Sequence, residues 1–155
     1  MKDIQFGYEP DKVIIHDLNL HAKPGSLVAI VGPTGAGKTT IINLLMRLYE
    51  KDAGSIRING QEVSSIPPHE LHTKFGVVFQ NDVLFADTVR ENIDFGRNLP
   101  QQRIEQAAVS AQAMEFIDTL PERFEHMVTA RGTNLSGGQK QRVLLSRALA
   151  GNSEI

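Results

Sequence analysis

The stretch GPTGAGKT at residues 32–39 holds the residue types best suited to chemistry. It satisfies the pattern G-x-x-x-x-G-K-[ST] in full. Gly32, Gly35 and Gly37 keep side chains out of the loop, so backbone N–H groups approach an anion closely. The helix that follows points its positive N-terminal end at the same place. Lys38 is placed to reach the β- and γ-phosphates, and Thr39 offers a hydroxyl to Mg²⁺. Pro33, Thr34, Ala36 and Thr40 complete the loop. A glycine-rich turn with no ligand is the competing reading. The apolar run before the loop and the helical run after it favour the phosphate reading. Alone, the motif implies a nucleoside triphosphate and nothing narrower.

A second anion cradle lies about a hundred residues downstream, in LSGGQ at residues 135–139. Ser136 is a good N-cap residue, and Gly137 and Gly138 expose backbone donors at a helix start. Leu135 and Gln139 flank them. An ordinary helix cap after a loop is the plainer reading, and it would stand if the first loop were absent.

The elements that must position these cradles follow from periodicity. DIQFGY alternates like a short strand, and VIIHDLNLHA forms a second, ended by Pro24-Gly25. SLVAIVG is a continuous apolar run, as a buried parallel strand would be. It leads through the loop into TTIINLLMRLYE, which is apolar at helical spacing. GSIRINGQEV is a hairpin around Asn59-Gly60. PPHELHTKF starts a short helix with Pro in its first turn, and GVVFQ is another short buried strand. TVRENI and PQQRIEQAAVSAQAMEFIDTL are helical, the latter with Ile104, Ala107, Ala108, Ala111, Met114 and Ile117 on one face. SGGQKQRVLLSRALA is a helix opened by Ser136. GNSEI then turns and begins what looks like a new strand at Glu154-Ile155.

Composition narrows the class. A chain of 155 residues fits one domain, and its net charge of −2 gives no sign of nucleic-acid binding. There are no cysteines, which excludes disulfides and thiolate metal sites. No apolar stretch approaches the roughly 20 residues of a membrane span.

Phosphate loop, LSGGQ and the Gln80 that closes GVVFQ, in this order, resemble the ATP-binding cassette (ABC) family. FGYEP near the start and FQNDVLFADTVRENI after the strand resemble its exporter-type nucleotide-binding domain. The likeness covers essentially the whole chain. It implies an α/β fold: a P-loop NTPase (RecA-like) core with an inserted α-helical subdomain. Residues 1–80 then form the first part of the ATP-binding core and 81–135 the helical subdomain. Residues 136–155 carry the signature helix back to the core. The cofactors implied are ATP and Mg²⁺. The partners implied are a second nucleotide-binding domain, homo- or heterodimeric and head-to-tail, and transmembrane domains that hold the module at the cytoplasmic face of the cell membrane.

Roles follow residue by residue from the resemblance. Tyr8 matches the aromatic that stacks on adenine; a strand-end core tyrosine is the alternative. Gln80 matches the glutamine that touches Mg²⁺ and the attacking water. Residues 135–139 match the cradle that grips the γ-phosphate of the partner's ATP. Val83, Leu84 and Phe85 fit either a core cluster or a face against a transmembrane coupling helix. Many exporters carry Gly-Glu-Arg-Gly before the signature, where Thr129-Ala130-Arg131-Gly132 stands here. Ala130 in place of the acid hints at one half of a heterodimer.

In the family, RALA is followed by an apolar strand ending in Asp-Glu, then by a histidine that contacts the γ-phosphate. The 155 residues reach only the first step of that strand, and the opening strand also looks clipped. We therefore expect a piece of a longer exporter subunit, with no catalytic residue of its own beyond Gln80 as a water- and Mg²⁺-sensing residue. We expect no meaningful hydrolysis from the 155 residues alone, and an isolated fragment that is molten or aggregated. Competing readings are a soluble ABC-type ATPase acting on DNA or ribosomes, which the short, heptad-free stretch from Gln80 to Ser136 disfavours, and a non-catalytic nucleotide-binding fragment. His69 and His72, three apart, lack an evident third ligand. Met46 and Met114 belong to helix faces, and the charges at residues 122–125 to a solvated surface.

Overall fold

Alternation in the opening strand decides the first sheet. In β1 (Lys2–Phe6), Ile4 and Phe6 point inward and are buried while their neighbours face water. β1 pairs antiparallel with β2 (Ile15–Leu18) on one side and with β3 (Ala53–Ser55) on the other. The hairpin expected around Asn59-Gly60 is present. β4 (Arg57–Ile58) pairs with β5 (Gln61–Glu62), and both turn residues have positive φ, as a primed two-residue turn requires. α1 (Lys38–Leu45) follows the glycine-rich loop and buries Ile41 and Leu44; α2 (Pro68–Thr73) buries Leu71. The computed structural model describes residues 1–79, 81–151 and 153–155. They divide into two compact units, Met1–His72 and Thr73–Ile155.

The second unit is mostly helical. Thr88 caps α3 (Val89–Asp94) through a bond from Glu91 N to its hydroxyl, and β6 (Asp87–Thr88) pairs with β7 (Met127–Val128). The run at residues 100–120 is two helices, α4 (Gln101–Ser110) and α5 (Met114–Ile117). They break where Gln112 adopts φ +55°. α6 (Gly137–Ala150) carries the signature. Val89, Ile93, Ile104, Ala108, Ile117 and Val143 are all fully buried in one apolar core, with Met114 packed at its edge.

The sequence expectations do not all hold. SLVAIVG is not a strand: residues 26–32 carry no ladder, Leu27 is 100% exposed and Val31 88%. A core parallel strand takes its hydrogen bonds from neighbours on both sides. Among the described residues, every paired strand is short and antiparallel, and none pairs with 26–32. Residues 76–79 of GVVFQ are likewise outside any strand. Their segment does make one meaningful contact: Ile155 N donates to Lys74 O (3.0 Å), and Gly76 N donates to Ile155 O (2.7 Å). That alternation is the pattern of a parallel pair, so Glu154 and Ile155 do run beside this segment. The helix after the loop is also shorter than its sequence pattern. It ends at Leu45, where the chain turns through Arg47 at φ +54°. Arg47 is held there by Glu50 and by the carbonyls of Ser64 and Ile66.

Candidate functional site

Residues 32–36 are exposed and lead to buried Gly37 in a turn closed by Ala36 N donating to Pro33 O at 3.2 Å. Gly35 and Gly37 have φ of +84° and +82°, in the left-handed region that a side chain disfavours. A Cβ on Gly35 would meet nothing within 4 Å and would project into the open cradle. A Cβ on Gly37 would fall 2.7 Å from Ile15 Cδ1, so Gly37 also lets the loop seat on β2. Lys38 opens α1. Its Nζ donates to the carbonyls of Gly32 (2.8 Å) and Pro33 (2.7 Å), which centres the charge within the loop. Thr39 is exposed beside it, and Thr40 is buried beneath. Pro33, Thr34 and Ala36 are exposed along the rim. An open cradle of left-handed glycines, one cation and a free hydroxyl at a helix start fits a polyphosphate with a divalent ion.

Tyr8 comes to the same place. Its hydroxyl lies 3.2 Å from Thr40 Oγ1, and Asn43 Nδ2 donates to it at 3.4 Å. The ring is 46% exposed, with Phe6 and Tyr49 packed nearly perpendicular to it. It is therefore not a buried strand-end residue.

In the second unit, Ser136 and Gln139 form a reciprocal capping box. Gln139 N donates to Ser136 Oγ (3.3 Å), and Ser136 N donates to Gln139 Oε1 (2.8 Å). Leu135 is buried and anchors the turn from below. Gly137 and Gly138 are exposed, and a Cβ on either would meet nothing within 4 Å. The surface at both glycines is open. The preceding turn is built by Asn134, which accepts from Thr129 N and donates to Met127 O. Gln80 lies outside the described residues.

Sequence reasoning missed the role of Arg147. Its guanidinium donates to Asn92 O (2.7 Å), Asn92 Oδ1 (3.0 Å) and Val83 O (3.1 Å). It also lies 4.6 Å from the Phe95 ring centroid and 5.4 Å from that of Phe85. Burial lowers its pKa, with Asp82 opposing the effect and Arg97 adding to it. Buried Asn92 in turn bonds the backbone of Phe85 and Thr88. The apolar triplet after Gln80 is thus divided: Leu84 enters the core, while Val83 and Phe85 stay about half exposed. Only Phe85 was visible in sequence, as one of an apolar cluster; its cation partner sits 62 positions away on α6.

Carboxylates are tuned locally. Burial opposes charge on Asp94, but the backbone N–H groups of Leu99 and Asn98 and the charges of Arg90 and Arg97 outweigh it and lower its pKa. For Glu62 partial burial is likewise overcome, by bonds from Ser55 and Ile56 and by Lys51 and Arg57, and its pKa is also lowered. Neither group lies at a cradle; both brace turns.

Comparison with known proteins gives the family. The family model described as ABC transporter matches residues 15–155. The chain is 42% identical over 155 residues to a β-(1→2)glucan export ATP-binding/permease protein of Agrobacterium fabrum, covering 99% of this chain and 26% of that protein. It is 41% identical to a fatty acid ABC transporter ATP-binding/permease protein of Mycobacterium bovis, over 98% of this chain and 24% of that one. A bacterial Atm1-family ABC exporter solved with ATP bound superposes with a TM-score of 0.89 at 42% identity, covering 98% of this chain and 27% of that chain. The chain thus spans about a quarter of the length of these relatives.

Proposed function

This chain belongs to the ABC transporter family, and from that premise we propose that it is the ATP-binding module of an exporter. Residues 1–80 and 136–155 belong to the ATP-binding core, and 81–135 to the helical subdomain. The observation that carries the proposal is the pair of glycine-lined turns, each opening a helix: one around Lys38, one capped by Ser136.

Bound Mg²⁺-ATP supplies the phosphoanhydride and the charge-neutralising ion. The chain supplies the grip. Lys38 holds its ammonium within the loop, on the carbonyls of Gly32 and Pro33, and Thr39 would hold the ion, with Gln80 assigned to it by the family resemblance alone. Tyr8 presents a half-exposed ring for the base. At the second turn, the first N–H groups of α6 have no intrahelical acceptor by geometry, and the open surface at Gly137 and Gly138 admits a phosphate. The phosphate gripped there belongs to a second nucleotide-binding domain, paired head-to-tail, and transmembrane domains couple the pairing to export. The 155 residues alone bind nucleotide without turning it over in this reading: residues 32–39 carry no Asp or Glu to polarise water.

Mg-ATP titration of the full-length polypeptide tests this. Micromolar-range binding that Lys38→Ala abolishes supports the reading. Equal affinity in wild type and variant overturns it.

A further inference from the structure

Tyr49 follows α1, nine residues beyond Thr40, in a stretch to which no chemistry has been assigned. It is 48% exposed, so the core does not require it. Yet its ring lies 4.9 Å from Tyr8, centroid to centroid, at 84°. Phe6, itself buried, meets Tyr8 at 5.0 Å and 84°, and Tyr49 at 5.9 Å and 60°. The three rings form one cluster of edge contacts, a geometry that aromatic quadrupoles favour.

The restraints on Tyr8 divide by direction. Thr40 and Asn43 hold its hydroxyl. Those bonds act at the hydroxyl oxygen, which lies on the long axis of the ring, so they fix where the ring points more than its rotation about that axis. A perpendicular ring at 4.9 Å does restrain that rotation. Phe6 supplies one such contact from the core and Tyr49 the other from the segment after α1. Without Tyr49, Phe6 alone among these rings restrains the face of Tyr8.

We propose that Tyr49 is a positioning residue that holds the Tyr8 ring face ready for a stacked base, and so sets how much the base adds to nucleotide affinity. This rests on the reading of Tyr8 as the base-stacking ring.

The test measures Mg-ATP affinity and competition by inorganic tripolyphosphate, a ligand without a base, on the full-length polypeptide. The variants are Tyr8→Ala, Tyr49→Leu and Tyr49→Phe. Stacking on aromatic residues spans a range that makes a loss of about 5- to 10-fold in ATP affinity the expected result for Tyr49→Leu. Tripolyphosphate affinity should stay unchanged, and Tyr49→Phe, which keeps the ring, should restore the wild-type ratio. If Tyr8→Ala weakens ATP but Tyr49→Leu does not, the inference fails and the reading of Tyr8 stands. If neither does, the reading of Tyr8 fails as well. If Tyr49→Leu weakens tripolyphosphate equally, Tyr49 supports the loop rather than the ring, and the inference is overturned.

Discussion

The two units carry one glycine-lined cradle each, but they support it differently. The signature turn sits on a dense helical core in which Ile93, Ile104 and Val143 are fully buried. Its cap is closed by its own residues, Ser136 and Gln139. The phosphate loop hangs between α1, which is well packed, and residues 26–32, which are exposed and unladdered. A helical cradle assembles from contacts near in sequence, because a helix satisfies its own backbone. A cradle on a parallel strand depends on neighbours elsewhere in the chain. The lesson is that a motif can be complete in sequence while the element beneath it is not complete in structure.

This contrast can be broken most forcefully in the helical core. Ile93→Ala in the 155-residue chain should cost about 2–5 kcal/mol, as buried isoleucine truncations do, measured by urea denaturation of the second unit. A cost near zero would mean that the core is not tightly packed. Lys38→Ala should lower Mg-ATP affinity about 100-fold or more, because charge-assisted bonds contribute about 1.5–3 kcal/mol each. It should leave the stability of the second unit untouched.

Asp94→Asn should destabilise the second unit by about 1–3 kcal/mol, since the part-buried backbone bonds from Asn98 and Leu99 lose a charged acceptor. The pH dependence follows in sign. The folded carboxyl has a lowered pKa, so its contribution is present above the ordinary Asp value. It disappears as pH falls through the lowered folded value. An acid titration of stability should show this limb in wild type and a flatter one in the variant.

Legibility in the sequence followed the same divide. The Asn59-Gly60 hairpin and the Ser136 N-cap are local signals, and each is present in the structure. The break at Gln112 was not readable, because the apolar period runs on through it. SLVAIVG misled because a short apolar run fixes neither a period nor a partner. Arg147 was illegible for another reason: its acceptors Asn92 and Val83 lie 55 and 64 positions away. The glycine-lined turns at residues 32–37 and 135–139 stand where their motifs lie in the sequence, whereas no motif marks Tyr49.

Smaller effects sharpen the contrast further. Ser136→Ala should cost about 1 kcal/mol, the ordinary loss of an N-cap, seen as a small shift in thermal midpoint. Leu27→Ala should change the stability of the 155-residue chain by less than about 0.5 kcal/mol, as exposed substitutions do. A loss of several kcal/mol there would place a buried strand at residues 26–32 and erase the difference between the units.

The most direct test asks whether the two cradles share one nucleotide. Light scattering of the full-length polypeptide, with and without saturating Mg-ATP under conditions that prevent turnover, would measure pairing of its ATP-binding modules. The account predicts ATP-dependent pairing that Ser136→Arg, which fills the second cradle, abolishes while Mg-ATP affinity persists. Modules that bind ATP yet show no ATP-dependent pairing, or that pair equally well with Ser136→Arg, would contradict it.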